Sequence, residues 1–538
     1  MSKNSRGQLD KTDFSIVFIK FIVLFLVGLC GLVSLKEIFN GDQALFTVFA
    51  SEMNQGAILY RDIWDIKQPA IFIFFLIGGK LFGFTEVGIH LFELIYWLIF
   101  SIILQSTLKN YYRYKIFAQL TPLFTVGIYY AVCRSWHLTQ VEGLVAFPLY
   151  LALWTSAESF QTESKNQSRF ILGLLSGFFG GVVLAFKLAF LPLLIIFWLM
   201  SLSLFFNKDR DSLSEIFRLV IAPIFLGVII LPIIILTYFA WHNALPITLY
   251  TFFQYPSQAV VEVIYEDRFD VLKNGLSWFV LNFKTLILIL AIGISLKVIA
   301  EYKQFSGYFS ALAKISLFDF GLTAWLIIGL GIILFQRLSW WEYHYLLLFV
   351  PLGILSTKSL EIIWDAAKSY GRFFEKSYGK AVLLCAILVL YVPHLKQIVR
   401  KTKSNLEAFS TTSDVKFDNS DFTEKYEAIR DETKFLAETK DSHEKIFVIG
   451  QPLYYFHSKR PPAISSNGWM TRFFLPKQWQ QLITELKETK PKYIFIELTV
   501  YEETLSKSSE ISQFLQENYR LRSRNKYAFC YESNFEYR

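Results

Sequence analysis

Long apolar runs recur along this chain at lengths that suit a membrane-spanning helical protein. They cover residues 14–36, 88–108, 116–133, 143–159, 170–187, 188–206, 217–240, 278–299, 315–335, 343–360 and 380–399. Each comes close to the roughly 20 residues a helix needs to cross the hydrocarbon core. Inside lipid the backbone must satisfy its own hydrogen bonds, which a helix does. Composition agrees: 54% of the 538 residues are hydrophobic, 54 are Phe and only 18% are charged, against roughly 25% charged in ordinary soluble domains. The expected fold is therefore predominantly α, a polytopic helical membrane protein with about eleven transmembrane helices.

Residues 1–13 carry Lys3, Arg6 and Lys11 ahead of an apolar run too long for a signal peptide and without a small-residue cleavage site. They read as the cytoplasmic lead into a retained first helix. Lysine and arginine clusters set the remaining orientation. Lys109, Arg113 and Lys115 follow the second run; Lys297, Lys303 and Lys314 surround the loop after the eighth; Lys358, Lys368, Arg372, Lys376 and Lys380 follow the tenth. All fall on the N-terminal side if the short stretch 69–83, which carries Lys80 and three glycines, is an interfacial or re-entrant helix. The cell-membrane topology expected is a cytoplasmic N-terminus and an extracytoplasmic C-terminal region. A first outer loop at 37–87 and a second long one at 241–277 lie on that same outer side.

Two domains are expected, 1–399 in the membrane and 400–538 outside it. In the tail the apolar runs shrink to strand length, as in KIFVIG (445–450) and KYIFIEL (492–498), with a further strand near 526–532. Between the first two, 476–489 places Trp479, Leu482, Ile483 and Leu486 on one helical face, and 421–440 reads as a polar helix. This is a small soluble α/β domain. Cys30, Cys133, Cys385 and Cys530 are scattered without a C-x-x-C pair, so no zinc or disulfide framework is indicated. The net charge of +8 is dispersed between apolar runs rather than gathered on a soluble face, which excludes nucleic acid as a partner.

The first outer loop, N-G-D-Q-A-L-F-T-V-F-A-S-E-M-N-Q-G-A-I-L-Y-R-D-I-W-D-I-K-Q-P (40–69), is the most chemically loaded stretch. Asp42 lies just past the first span, at the mouth of the membrane domain, where a carboxylate is either wet or functional. It also precedes a helix, so the spacing equally fits an N-cap. Asp62 and Asp65 fit turn positions as well as binding roles. Asp319 sits inside the ninth run near its cytoplasmic end, where capping or solvation accounts for it better than catalysis does.

Read in order, these motifs resemble the GT-C superfamily of membrane glycosyltransferases, in the bacterial branch related to protein O-mannosyltransferases and the lipid A aminoarabinose transferase. The resemblance is carried by Asp42, Glu52, Gly56, Tyr60, Asp62, Asp65, Lys67 and Pro69. It extends to Glu142 in TQVEGLVAFP (139–148), Lys187 in AFKLAFLP, and His344 in WEYHYLLLFVP (341–351), and to the tail. The chain departs from the pattern at Gln43, where Glu is frequent, and at Gln68, where a first proline is usual.

The resemblance implies a polyprenyl-phosphate sugar donor and an extracytoplasmic acceptor that is a glycolipid, a glycan or a protein. An acceptor hydroxyl must lose its proton as it attacks, which calls for a positioned carboxylate as general base; Asp42 is the candidate. The departing phosphate calls for cations in a partly desolvated site. Lys67, Lys187 and His344 are the candidates, with Arg134 and Arg337 behind them, and Asp62, Asp65 and Glu142 complete the expected substrate-binding set. No cofactor is implied, although Asp42, Asp62 and Asp65 leave a divalent metal open.

Blander roles compete for each residue. Lys187 suits snorkelling to headgroups, and His344, beside Trp340, Trp341, Tyr343 and Tyr345, suits an aromatic belt. Glu142 suits an ion pair with Arg134 or His137. In the tail, Tyr454, His457, Arg460 and Arg472 are candidate contacts to acceptor or donor, against the blander reading of a purely structural lid. The alternative function is a transporter or flippase, which would show repeated halves or broken midplane helices. A glycan polymerase or ligase would instead concentrate arginines in a large late outer loop.

Overall fold

A computed structural model describes residues 3–161, 166–203, 213–262, 268–304, 316–336, 340–369, 391–403, 420–438 and 444–534. These residues are overwhelmingly helical, with one small sheet near the C-terminus. Among them, seven helices are long and apolar enough to cross a membrane: Ile16–Val33, Glu86–Leu108, Asn166–Phe186, Ser214–Trp241, Phe269–Ile299, Leu317–Phe335 and Glu342–Lys368. Leu188–Met200 is a shorter apolar helix, and 143–159 corresponds to the helix Ala146–Gln161. The run 116–133 is helical but not regular. Pro122 has no N–H to continue the ladder, and a π-turn at Leu123–Gly127 absorbs the break before Ile128–Val132. Of the run 380–399, residues 380–390 lie outside the described residues, as does Cys385, and 391–399 is helical.

The chain divides into two compact units. The first comprises Met1–Leu35, His90–Pro232 and Asp267–Lys403; the second comprises Lys36–Ile89, Ile233–Glu266 and Ser404–Arg538. In the first, small residues allow close helix packing. Gly173, Gly177 and Gly181 recur every fourth position along Asn166–Phe186 and lie against Pro223, Ile224 and Val228, and a Cβ on Gly177 would overlap the Ile224 carbonyl. Elsewhere in this unit the helices expose Phe18, Phe21, Phe25, Leu281 and Ile327, bulky apolar faces that suit lipid rather than water.

The second unit holds the sheet, ordered β1-β2-β4-β3, with β1 Ile446–Ile449, β2 Tyr493–Glu497, β3 Tyr519–Arg524 and β4 Ala528–Ser533. β1 and β2 pair in parallel and every residue of both is buried, which is why their sequences read as continuous apolar runs. The helices Ser420–Glu438 and Pro476–Thr489 match the two expected in the tail. β3 was not legible, because five of its six residues are exposed; Arg520, Arg522 and Arg524 along it guard an edge against further pairing.

The loop 37–87 belongs to this unit. Asn40 caps the helix Gly41–Asn54, accepting from the Gly41 N–H at 2.7 Å, while the Gln43 side chain accepts from the Asn40 N–H at 3.0 Å. Pro69 then opens the helix Pro69–Phe82 after the extended Gln68, an arrangement that suits proline at a first helical position. At 14 residues that helix is about 21 Å long, too short to cross the roughly 30 Å of hydrocarbon. The loop shares a core with the tail, where Phe39 packs on Phe456 and Trp64 on both Tyr255 and Phe474.

Candidate active site

Because Asn40 and Gln43 close the helix end, Asp42 is not the cap. It lies in the first turn, where the helix dipole favours a negative charge. The carboxylate Oδ1 accepts from Trp469 Nε1 at 2.9 Å and lies 3.5 Å from Lys67 Nζ. Lys67 sits between two acids, 3.8 Å from Asp65 Oδ1, with its ammonium over the Phe46 ring. Asp65 is both a turn residue and part of this cluster. Its Oδ1 accepts the Lys67 N–H at 2.9 Å and its Oδ2 accepts from Asn467 Nδ2 at 3.0 Å. Burial pushes the Asp65 carboxyl above its ordinary range, and the neighbouring Lys67 ammonium offsets only part of that.

The loop that carries these groups is held tightly. Tyr60 adopts φ 70°, a sparsely allowed conformation for a bulky side chain. Its ring packs on Phe239 and Phe252 and its hydroxyl donates to the Lys67 carbonyl at 2.7 Å. Asp62 turns to a different task, accepting from the Ile58 N–H at 2.8 Å and pairing with exposed Arg61. The structure therefore does not assemble Asp42, Asp62 and Asp65 as one ligand set, and no group of three His, Cys, Asp or Glu is arranged to hold a metal ion among the described residues.

A second cluster forms within the first unit. Glu142, buried in the short helix Val141–Leu144, accepts from Lys187 Nζ at 2.7 Å. Lys187 occupies the break between Asn166–Phe186 and the short helix Leu188–Phe190, and also donates to Gln336 Oε1 at 3.0 Å. The Gln336 amide nitrogen faces His344 Nε2 at 3.2 Å, and the same nitrogen of His344 lies 3.7 Å from Glu142. His344 is thus buried in a polar cluster and not part of an aromatic belt. Lys187 points to Glu142 and Gln336 instead of only to headgroups. Burial alone would raise the Glu142 carboxyl, but Lys187 and then His344 hold it below its ordinary value.

Glu142 pairs with neither Arg134 nor His137. The Arg134 side chain is exposed and lies over Trp136. His137 stacks on Trp278 and binds Glu342 at 3.1 Å. Burial lowers the His137 pKa to about 4, which keeps the ring neutral. Arg337 lies outside the described residues. Asp319 follows the capping Ser316 and pairs with Lys358, a structural role. In the tail, Tyr454 donates to Glu432, Arg460 to the Leu436 carbonyl, and His457 packs edge-on to Tyr426. Arg472 stands in the short turn Gly468–Phe473. Sequence reasoning missed Trp469, Asn467 and Gln336. The first two lie some 400 residues from the carboxylates they touch, and no local pattern marks them.

The Glu142–Lys187 pair has a direct test. Glu142→Gln and Lys187→Gln are each expected to lower the unfolding temperature in detergent by about 2–4 °C, and the double variant by less than their sum, since neither then leaves a lone buried charge. The Glu142 value is lowered in the folded state, so its stabilisation is present above the ordinary carboxylate range and fades as pH falls through the lowered value. Melting curves of the native protein and Glu142→Gln taken from neutral pH downward should converge in acid.

No protein-family sequence model matches the chain, and no curated protein does. Solved structures do. ArnT from Cupriavidus metallidurans in its apo state superposes with a TM-score of 0.61 at 12% identity, covering 97% of this chain and 98% of that one. The same protein bound to undecaprenyl phosphate gives 0.59 at 12% identity with the same coverage. The archaeal oligosaccharyltransferase AglB from Archaeoglobus fulgidus, in complex with an inhibitory peptide and a dolichol-phosphate, gives 0.52 at 11% identity, covering 96% of this chain and 74% of that one. The chain shares the fold of these structures over nearly its whole length.

Proposed function

We propose that this protein is a membrane glycosyltransferase that moves a hexosyl or pentosyl unit from a polyprenyl-phosphate donor to an extracytoplasmic glycolipid, glycan or protein acceptor. The observation that carries the reading is Asp42. Its carboxylate is released from capping by Asn40 and held by an indole N–H and an ammonium, in a fold shared with a protein solved on undecaprenyl phosphate.

In the proposed reaction the acceptor oxygen attacks the anomeric carbon while Asp42 takes its proton. The carbon–oxygen bond to phosphate breaks on the opposite face, the configuration inverts, and polyprenyl phosphate leaves with the electron pair. Lys67 is the cation beside Asp42 assigned to the anionic donor, and Asp65 keeps it in place.

The test incubates membranes containing the protein with labelled polyprenyl-phosphate sugars and follows the label into lipid, glycan and protein fractions. Transfer that depends on Asp42 supports the reading. Passage of labelled lipid across the bilayer with no transfer would favour a flippase and remove it.

A further inference from the structure

We propose that the C-terminal α/β fold is a working part of this site, in which Trp469 and Asn467 are positioning residues that fix the carboxylates of Asp42 and Asp65. The inference rests on the reading of Asp42 as the base and gives the tail a role beyond covering the loop.

The segment Asn467-Gly468-Trp469 is anchored to the sheet. A Cβ on Gly468 would overlap the Val448 carbonyl and lie 2.8 Å from Ile449 Cα, so only glycine brings this backbone so close to β1. The Gly450 N–H donates to the Gly468 carbonyl at 3.3 Å. Asn467 then braces the turn, its Oδ1 accepting the Trp469 N–H at 2.9 Å. Its amide nitrogen donates to Asp65 Oδ2 at 3.0 Å and to the Trp64 carbonyl at 3.3 Å. One residue thereby ties the indole to the loop that carries the second carboxylate.

Trp469 reaches Asp42 with its only polar atom. The indole N–H donates and cannot accept, so the contact at 2.9 Å fixes which way the carboxylate turns. Lys67 alone does not do this, because an ammonium on a flexible stem is a point charge with little directional demand. The ring also lies against Gly41, where any Cβ would overlap it. Helix start, indole and carboxylate therefore hold one another in place, supported from a fully buried strand. A base misplaced by about 1 Å can lose on the order of 100-fold in rate, which is what such a brace prevents.

The test uses the full-length protein in detergent or nanodiscs and compares it with Trp469→Phe, which keeps a ring over Gly41 and removes the N–H. The expected result is a fall of about tenfold in kcat, with KM for the labelled donor unchanged. A smaller kcat loss is expected for Asn467→Ala. In parallel, unfolding temperatures of Asp42→Ala, Trp469→Phe and the double variant should be non-additive. Should Trp469→Phe not be recovered folded, Gly41→Ala replaces it. Its methyl displaces the indole while leaving every hydrogen-bonding group in the chain, and the same kcat loss is expected.

Full kcat in Trp469→Phe, a change in KM alone, or strictly additive unfolding shifts would overturn the proposal. Non-additive shifts in a protein that transfers no sugar would keep the positioning contact and remove the base reading. Asp42-dependent transfer that ignores Trp469 would do the reverse.

Discussion

Asp42→Asn is expected to lower sugar transfer by about 10³-fold, within the range a general base contributes, while the protein still folds. Asparagine matches aspartate in shape and retains an oxygen that can accept from Trp469. The helix start is unaffected, because Asn40 and Gln43 satisfy it. What disappears is the charge: its favourable place in the first helical turn, worth about 0.3–1 kcal/mol, and its attraction for Lys67. Lys67 still has Asp65 at 3.8 Å, so the cation is not stranded. The loss should therefore fall on kcat with little change in KM for the donor, and expression and unfolding temperature should stay close to the native values. A well-expressed Asp42→Asn protein that transfers at the native rate would sink the assignment. Asp42→Glu keeps the charge but moves it by one methylene beside the Trp469 ring, and an intermediate loss is expected. The comparison separates charge from placement.

What the sequence makes legible divides local features from non-local ones, for a physical reason. Apolar length and loop charge are local quantities, so the helices Glu86–Leu108, Asn166–Phe186 and Leu317–Phe335 were legible within a few residues. Buried strands β1 and β2 were legible on the same ground, and exposed β3 was not. Site geometry is not local. The sequence offered Asp42 both as a cap and as a catalyst. Asn40, two positions earlier, takes the cap, and Trp469, far downstream, holds the freed carboxylate; only the first of these lay within view. The cations nearest Glu142 in sequence are Arg134 and His137. Folding brings up Lys187, 45 residues away, and leaves His137 to Glu342, 205 residues away. At Gln43 the amide oxygen accepts the Asn40 N–H and so takes part in closing the cap, a task the more frequent glutamate would perform equally well. Gln336 stayed invisible because a lone glutamine at the end of an apolar run carries no pattern.

Lys67→Met should give the largest loss of stability, and that loss should depend on pH in a defined direction. Asp65 is fully buried and its pKa is already raised, chiefly by desolvation. Lys67 is the cation beside it, at 3.8 Å, and methionine would keep the packing on Phe46 while removing the charge. The Lys67 N–H and Asn467 remain as donors to Asp65, so the cost is set at about 2–3 kcal/mol, below the 3–5 typical of a fully buried pair broken on one side. A group whose folded pKa is raised contributes stability that is fully present below its unfolded value, near 4 for Asp. That contribution is lost as pH rises through the folded value. Removing Lys67 raises the folded value further. The deficit of Lys67→Met relative to the native protein should therefore be small in mild acid and grow toward neutral and alkaline pH. Adding Asp65→Asn removes the buried charge and should restore most of the unfolding temperature at pH 7–8. Sugar transfer should not return with it if Lys67 also serves the departing phosphate. A double variant that regains both stability and transfer would confine Lys67 to neutralising Asp65.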